Sequence, residues 1–277
     1  NLCPVALEKK LIDAKKIGKL PKIVIPVHLC GQSCDMKSIH KLSQEYGFKV
    51  IEDASHAIGG RYLNKAIGSC EYSDITVFSF HPVKIITTAE GGMALTNNSK
   101  IANKISLLRS HGITRETEQM SGKSHGDWYY QQIALGFNYR MTDLQAALGL
   151  SQLNRLDNYV SRRNFLAIRY DKQFENFPLT TPYQLDDTYS ARHLYVIRIN
   201  DHKKHKKVFD YLKMNKIGVN LHYIPLHFHP VHKKTTYSNL PHAESYYREA
   251  ITLPLFPKMT EDEQNTVINI LGKALKI

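Results

Sequence analysis

The sequence predicts an α/β protein with a mixed sheet in its first half and a smaller α+β domain in its second half. In the first half, short apolar runs alternate with amphipathic stretches, as is typical of strand–helix–strand units. In the second half, long amphipathic helices replace most of the apolar runs. We therefore predict a first domain over residues 1–153, and a linking helix with a small α+β domain over residues 154–277.

Two strands of the predicted sheet come early in the chain. Residues 22–29 form a mostly apolar run, although Pro26 cannot donate a hydrogen bond to a neighbouring strand. Asp35 then caps a predicted amphipathic helix, and residues 49–53 form the next apolar run. A helix between two strands makes a crossover connection, so we expect these strands to be parallel.

Two further strands are predicted over residues 74–80 and 92–96. Only about ten residues separate them, whereas a parallel crossover needs a dozen or more. They are therefore expected to pair antiparallel or to lie apart. Lys84 lies in the loop between them.

The second half begins with a capping box at Thr142 and Gln145, which predicts one long helix. Its apolar face is expected to carry Leu153, Leu156, Val160 and Ala167. We further predict a strand over residues 191–200, a helix over 206–215, a short strand near 219–222 and a last helix opened by a second capping box at Thr260.

Composition narrows the class of protein. The net charge of +12 permits nucleic acid, an anionic membrane surface or an acidic small molecule as partner. No reader motif for nucleic acid accompanies the charge, and no apolar run is as long as a membrane span, so we predict neither partner. The four cysteines are too scattered for a disulfide framework or a zinc site, and the sequence shows no signal peptide. We expect a cytoplasmic protein with reduced thiols and no metal.

Three polar side chains are expected to meet at one edge of the sheet. Asp53 ends one predicted strand, and Ser79 and Lys84 follow another. Open α/β sheets bind ligands at the carboxyl ends of their strands. An amine and a carboxylate together suit an aldehyde cofactor with a basic ring nitrogen, because the amine forms a Schiff base and the carboxylate keeps the ring protonated. Glu52 should point to the opposite face of its strand.

Residues 50–59 read Val-Ile-Glu-Asp-Ala-Ser-His-Ala-Ile-Gly, residues 78–84 read Phe-Ser-Phe-His-Pro-Val-Lys, and Glu-Gly-Gly follows at 90–92. These segments resemble the pyridoxal phosphate (PLP)-dependent nucleotide-sugar aminotransferases, which have the aspartate aminotransferase fold, the type I fold of PLP enzymes. The similarity extends over essentially the whole chain. It is greatest to the enzymes that aminate C4 of a keto-sugar for pseudaminic acid biosynthesis.

The resemblance implies a role for each matching residue. Lys84 matches the Schiff-base lysine, Asp53 the partner of the ring nitrogen, and His56 a contact to the phenolic oxygen of the cofactor. Ser79 matches a phosphate-binding serine. Asn138 matches an asparagine that reaches the cofactor phosphate of the neighbouring subunit, which implies a homodimer with shared active sites. Without the surrounding motifs, each of these residues would more often be structural, as an Asp at a strand end, a His in the core or an Asn in a turn usually is.

A run rich in histidine over residues 221–232 allows two interpretations. His227 and His229 would share a strand face and offer two metal ligands, but no third ligand lies at suitable spacing. Relatives carry a similar segment beside the sugar site. We favour that interpretation and expect His222, Tyr223 and His227 to contact substrate. The resemblance implies a UDP-linked 4-keto-6-deoxy-N-acetyl hexose as amino acceptor and glutamate as amino-acid donor.

Family members normally have a long segment before the point that matches residue 1. It contains a glycine turn for the cofactor phosphate, an aromatic residue that stacks on the ring, and two strands of the central sheet. No such turn precedes residue 22, so we expect an incomplete sheet, poor solubility or weak cofactor retention. Alternatives are a truncated, non-catalytic remnant and an aminotransferase for another nucleotide sugar.

Overall fold

A computed structural model describes residues 1–232 and 240–277. Within these ranges the α-helices are α1 Pro4–Lys16, α2 Met36–Tyr46, α3 Ser99–Leu108, α4 Asp143–Leu153, α5 Leu156–Gln173, α6 His205–Met214, α7 Pro241–Glu249 and α8 Glu261–Ala274. The strands are β1 Ile23–Val24, β2 Lys49–Asp53, β3 Arg61–Tyr62, β4 Lys65–Ala66, β5 Ile75–Ser79, β6 Gly92–Leu95, β7 Ile113–Thr114, β8 Gln131–Gln132, β9 Leu179–Thr180, β10 Thr188–Tyr189, β11 Tyr195–Ile199 and β12 Ala250–Leu253.

The first half is built on a sheet with strand order β1-β2-β5-β6. Strands β1, β2 and β5 are parallel, and Asp53 lies opposite Val77 in the register of β2 and β5. Strand β6 pairs antiparallel with β5, with Ser79 opposite Gly92. Both strand directions agree with the sequence predictions. The helix capped by Asp35 is also confirmed, because its carboxylate accepts a hydrogen bond from the Ser38 N–H.

The predicted strand over residues 22–29 is wrong in length, since only Ile23–Val24 is regular strand. Pro26 has no N–H to donate, although its carbonyl still accepts a hydrogen bond from the Asp53 N–H at 2.9 Å. Val27 makes a single bridge to Asp53, and a 3₁₀ turn then follows over Leu29–Gly31. The chain thus leaves the sheet beside the end of β2.

The predicted single helix from Thr142 is two helices. The capping box at Thr142 and Gln145 is present and opens α4. The chain then leaves helical geometry at Arg155 (φ −109°, ψ 2°) before α5 begins. Leu153 at the end of α4 is 46% exposed, whereas Val160 and Ala167 of α5 are buried, so the predicted apolar face is not continuous.

The second half packs helices on a small antiparallel sheet with strand order β12-β11-β9. The predicted strand over 191–200 shortens to β11, and the predicted strand near 219–222 is only a bridge between Asn220 and Thr252. Helices α6 and α8 lie where they were predicted, and the Thr260 capping box opens α8. Buried residues of α5, α6, α8, β11 and β12 form one apolar cluster that includes Tyr170 and Ile197.

Helix α5 contributes to two apolar clusters. Val160 packs with Phe78, Phe80 and Ile86 from the first half, whereas Leu166 packs with the second-half cluster. The domain ranges 1–153 and 154–277 stay a prediction. No helix within the described ranges is long and apolar enough to cross a bilayer.

Glu52 holds a buried polar network on the face of β2 away from Asp53. Its carboxylate is hydrogen-bonded to His28 Nε2 (2.7 Å), Thr76 Oγ1 (2.9 Å) and Ser73 Oγ. Burial lowers the pKa of His28, but its contacts with Cys34 and Glu52 outweigh that effect and raise the pKa to about 9, so Nε2 donates to the Glu52 carboxylate. Burial raises the pKa of Glu52, but these hydrogen bonds outweigh it and hold the pKa below its usual value. The carboxylate is therefore a structural anion.

We expect Glu52→Ala to reduce the free energy of unfolding by about 3 kcal/mol, because it leaves the donors of His28, Ser73 and Thr76 buried without an acceptor. Urea unfolding at neutral pH measures the loss. Glu8→Ala, which removes an exposed carboxylate, is the control and should change stability little. Equal stability of Glu52→Ala and the control would contradict the structural role.

Candidate active site

A crevice opens at the carboxyl ends of β2 and β5. Asp53 is the last residue of β2, and Ser79 is the last residue of β5. After β5 the chain makes a compact loop over residues 81–90 whose base is closed by hydrogen bonds from Phe80 N–H to the Gly91 carbonyl and from Thr88 N–H to the Phe80 carbonyl. Lys84 lies in this loop, as predicted.

The Lys84 ammonium is half-buried and makes no ion pair with a carboxylate in the described part of the chain. Burial lowers its pKa, and the nearby Asp53 carboxylate partly offsets that effect. The Asp53 carboxylate accepts a hydrogen bond from the Ser55 N–H at 3.1 Å, which fixes its orientation. Lys84 is therefore an amine of lowered pKa that lies close to the Asp53 carboxylate.

His56 is buried beside this pair. The Cys30 N–H donates to His56 Nδ1 at 3.3 Å, so Nε2 carries the proton and faces the Tyr223 hydroxyl at 3.4 Å. Burial and, to a smaller extent, the Lys84 ammonium lower the pKa of His56 to about 4, while Asp53 opposes the shift. His56 is thus a neutral ring of fixed orientation at physiological pH.

His193 is a site residue that the sequence reasoning missed. Its ring lies 4.4 Å from the His56 ring, centroid to centroid, and its buried Nδ1 has no hydrogen-bond partner. Burial lowers the pKa of His193, and His56, Arg163 and Lys84 add to that effect. Arg163 of α5 donates to the carbonyls of His193 (3.1 Å) and Leu255 (2.8 Å), which anchors the segment that carries His193. The only available signal in the sequence was a histidine near the start of the strand predicted over residues 191–200.

The contact between these two histidine segments depends on Gly31. A Cβ at this position would lie 2.8 Å from the Arg192 backbone nitrogen and 3.0 Å from the His56 carbonyl oxygen, and the backbone φ is +106°. A residue with a side chain would push the segments apart. Gly31 therefore allows the loop after β1 to pack between His56 and residues 192–193.

His222 and Tyr223 lie beside His56 and Lys84, and their predicted contact with substrate stays a prediction. His222 Nδ1 is hydrogen-bonded to Thr252 Oγ1 at 2.8 Å, and burial and the Lys84 ammonium lower its pKa. The Tyr223 ring stacks at 6.3 Å on His56, and burial raises the pKa of its hydroxyl. Two of the three predicted substrate residues therefore lie beside Lys84 and His56.

His227 is placed differently. It is hydrogen-bonded to Glu244 of α7 at 3.1 Å and has no described contact with His56 or Tyr223. The prediction that His227 and His229 share a strand face is wrong, because both lie in or beside 3₁₀ turns over Leu226–Phe228 and Pro230–His232. Pro225 and Pro230 each remove a backbone donor, which prevents a regular strand. No group of three metal-ligating side chains occurs in the described residues.

The other two predicted cofactor residues, Ser79 and Asn138, lie in different parts of the structure. The Ser79 hydroxyl accepts a hydrogen bond from the His81 N–H at 3.4 Å and lies at the base of the Lys84 loop. Asn138 is exposed, and its backbone bridges to Ser110 outside the crevice. Asn138 therefore does not contribute to the Lys84 crevice of its own chain.

Comparison with known proteins agrees with this geometry. The model of the DegT/DnrJ/EryC1/StrS aminotransferase family matches residues 1–272. The chain belongs to this family. Spore coat polysaccharide biosynthesis protein SpsC of Bacillus subtilis is 38% identical over 100% of this chain and 71% of its own length. A UDP-4-amino-4,6-dideoxy-N-acetyl-beta-L-altrosamine transaminase of Campylobacter jejuni is 34% identical over 98% of this chain and 72% of its own length.

Solved structures show the same aminotransferase fold. PseC of Helicobacter pylori, an aminotransferase of pseudaminic acid biosynthesis, superposes with a TM-score of 0.89 at 29% identity, covering 100% of this chain and 71% of that one. The PLP form of a sugar aminotransferase of Streptococcus pneumoniae gives 0.82 at 28% identity, covering 93% of this chain and 69% of that one. The type I fold and the PLP-dependent class are therefore confirmed for this aminotransferase.

The residues of this aminotransferase fit PLP chemically. The Lys84 amine has a lowered pKa and no carboxylate bound to it, as a group that attacks an aldehyde requires. Asp53 offers a carboxylate beside it, and the neutral His56 carries a proton on Nε2 toward the same crevice. Ser79 adds a hydroxyl suited to a phosphate. These residues would hold the cofactor.

The stability of the cofactor-free aminotransferase is expected to fall steeply below about pH 6.5. The pKa of His56 is about 4 when folded and about 6.5 when unfolded, so the unfolded state binds more protons between those values. His193 is shifted in the same direction. Stability is therefore present at higher pH and lost as pH falls, with a slope of about 2.7 kcal/mol per pH unit for two protons.

Urea unfolding across this pH range measures the slope. His56→Asn and His193→Asn should each reduce the slope by about one proton. His125→Asn, at an exposed position, is the control and should retain the full slope. A full slope in both site variants would contradict the assignment of buried neutral histidines.

Proposed function

We propose that the protein transfers an amino group from an amino-acid donor, glutamate, to C4 of a UDP-linked 4-keto-6-deoxy-N-acetyl hexose. The product is a 4-amino sugar for pseudaminic acid or a related surface glycan. The single observation that best supports a transaminase is the Lys84 amine of lowered pKa beside Asp53. The 34% identity to the Campylobacter jejuni transaminase supports the sugar class.

Each site residue has a defined task in this proposal. PLP, when bound, supplies a ring that withdraws electrons from the substrate carbon. Asp53 holds a proton on the ring nitrogen, and His56 orients the ring through its Nε2 proton. Lys84, released as a neutral amine, removes a proton from the donor carbon and returns it to another carbon. The lowered pKa of Lys84 keeps part of the amine unprotonated for this task.

We assign substrate contact to His222 and Tyr223, which lie beside Lys84 and His56. We propose that His227 supports the substrate site indirectly, because its hydrogen bond to Glu244 holds the segment that follows Tyr223 in place. The net charge of +12 suits a diphosphate-linked sugar. These residues and this charge support a UDP-sugar, with an amino acid as the second substrate.

A mass-spectrometric assay tests the function. Glutamate labelled with ¹⁵N and the UDP-4-keto sugar are incubated with protein and PLP, and the labelled 4-amino sugar is the expected product. Parallel incubation with a UDP-3-keto sugar tests the site of amination. Label only in the 3-amino product would assign the protein to a different nucleotide sugar.

We also propose a cytoplasmic homodimer with shared active sites. Exposed apolar side chains surround Asn138, with Leu135 at 85%, Phe137 at 56% and Leu144 at 86% exposure. Such a cluster supports a buried interface. The described cysteines are free thiols, which suits a reducing compartment.

Complementation tests the shared site. Lys84→Ala and Asn138→Ala dimers are each expected to be weakly active, whereas a mixture that exchanges subunits should regain about a quarter of wild-type activity if each site takes both residues from different chains. Light scattering of the wild-type protein checks the dimer directly. A monomer at micromolar concentration, or no recovery in an exchanged mixture, would contradict the shared site.

A further inference from the structure

A second pocket of about 340 Å³ lies beside the loop that carries Cys30. Its wall includes Gln184, Arg192, Arg198 and Tyr246, and none of the residues that line it is acidic. Lys84, Asp53 and His56 are not part of its wall. This volume falls in the range of small-molecule sites.

Three polar atoms in this wall are buried without a hydrogen-bond partner. They are Arg192 Nε, the Tyr246 hydroxyl and Gln184 Oε1. Arg192 is only 7% exposed, and its guanidinium makes no hydrogen bond or ion pair in the described ranges. Buried polar groups normally have partners, and a buried charge without one is costly.

Neighbouring groups do not compensate these atoms. The Tyr246 hydroxyl lies near the Cys30 thiol and lowers the pKa of that thiol, but a thiol is only a weak acceptor. Arg198 is already paired with Glu249 at 2.8 Å. Arg192 therefore remains as an uncompensated positive charge in a pocket without an acid.

We propose that this pocket binds a small carboxylate that carries an N–H donor close to the carboxyl group, as a free or acylated amino acid does. The carboxylate would accept from the Arg192 guanidinium and the Tyr246 hydroxyl, which are both donors. The N–H group would donate to Gln184 Oε1, which is an acceptor. One such ligand supplies an acceptor for the two donors and a donor for Gln184, whereas phosphate has no N–H group and can donate only from a protonated oxygen.

The pocket shares residues with the wall of the active site. Cys30 lines the pocket, and its N–H donates to His56. Arg192 lines the pocket and is followed in sequence by His193, which packs on His56. The proposed ligand is nevertheless separate from the proposed reaction, because Gln184, Arg192 and Tyr246 line the pocket and none of them is assigned a task in transamination.

N-acetylglycine is the probe, because it has a carboxylate and an amide N–H but no free amine to react with an aldehyde cofactor. Calorimetric titration of the full chain with PLP present is expected to show saturable binding. Butyrate, which lacks the donor, and N-methylacetamide, which lacks the charge, should each bind at least about fivefold more weakly. Inorganic phosphate tests for a general anion site.

Two variants localise the binding. Arg192→Met should weaken it at least about tenfold, and Tyr246→Phe, which keeps the ring, about fivefold. Tyr211→Phe removes a half-buried hydroxyl outside the pocket and is the matched control. Absent binding, equal affinity for phosphate, or full affinity in Tyr246→Phe would overturn the proposal. A failure of transamination would leave this binding result unaffected.

Discussion

Replacement of Lys84 by alanine is expected to lower kcat for transamination by about 10⁴-fold or more, because the reacting amine and the proton carrier are the same group. The half-buried position and lowered pKa of Lys84 support both tasks. Steady-state assay with glutamate and the keto-sugar measures the loss. Addition of a small primary amine such as ethylamine should restore part of the proton-transfer rate.

Lys104→Ala is the matched control for this experiment, since Lys104 is an exposed lysine on α3. Its replacement should leave kcat within about twofold of the wild type. A Lys84→Ala variant that retains more than a tenth of the wild-type rate would show that another residue supplies the amine.

Replacement of Asp53 by asparagine is expected to reduce kcat by about 10³-fold and to weaken cofactor retention, because an amide cannot hold a proton on the ring nitrogen. The variant should also change Lys84. Asp53 raises the pKa of Lys84 against the effect of burial, so its removal should lower that pKa further. The pH dependence of Lys84 modification by an amine-reactive reagent, measured in the cofactor-free protein, reports this second effect.

Asp13→Asn, which removes an exposed carboxylate on α1, is the control for charge alone. Asp53→Glu retains the charge and should recover part of the rate. If Asp53→Asn has normal kcat and normal cofactor retention, Asp53 is not the partner of the ring nitrogen.

Short-range sequence patterns, such as helix caps and the lengths of connections, predicted the strand directions of the sheet correctly. The capped helix after Asp35 correctly predicted that β1 and β2 are parallel, and the short connection between β5 and β6 correctly predicted an antiparallel pair. Those directions placed Asp53 and Ser79 at one edge, with Lys84 in the loop. Loop length and helix capping depend on residues that are close together in the sequence, so they can be recognised from a single sequence.

Most errors of the sequence predictions occur where contacts between distant parts of the chain determine the structure. The helix predicted from Thr142 is broken at Arg155, although the apolar spacing continues through that position. The early end of β1 has a local cause, the missing N–H of Pro26, which was noted but given too little weight against the apolar run. The contact between His56 and His193 joins segments 137 positions apart, which no local pattern reveals. The same holds for the unpaired guanidinium of Arg192, since pairing of a buried charge depends on the whole fold.

The antiparallel pairing of β3 with β10 was also beyond the sequence signals. Arg61–Tyr62 pairs with Thr188–Tyr189, so a two-residue strand of the first half binds a segment of the second half. Two-residue strands have too few residues for a periodic pattern to be recognised. This pairing helps to fix residues 190–193 beside the active site, where Ser190 and Arg192 follow β10 directly.

Covalent trapping tests the central claim most directly. The purified chain is incubated with PLP, reduced with borohydride, digested and analysed by mass spectrometry, with Lys84→Ala and Lys104→Ala treated in parallel. The account predicts one stoichiometric pyridoxyl adduct on the peptide that contains Lys84, lost only in Lys84→Ala. A folded chain without that adduct, or with the adduct mainly on other lysines, would contradict it and favour a protein that has lost its catalytic role.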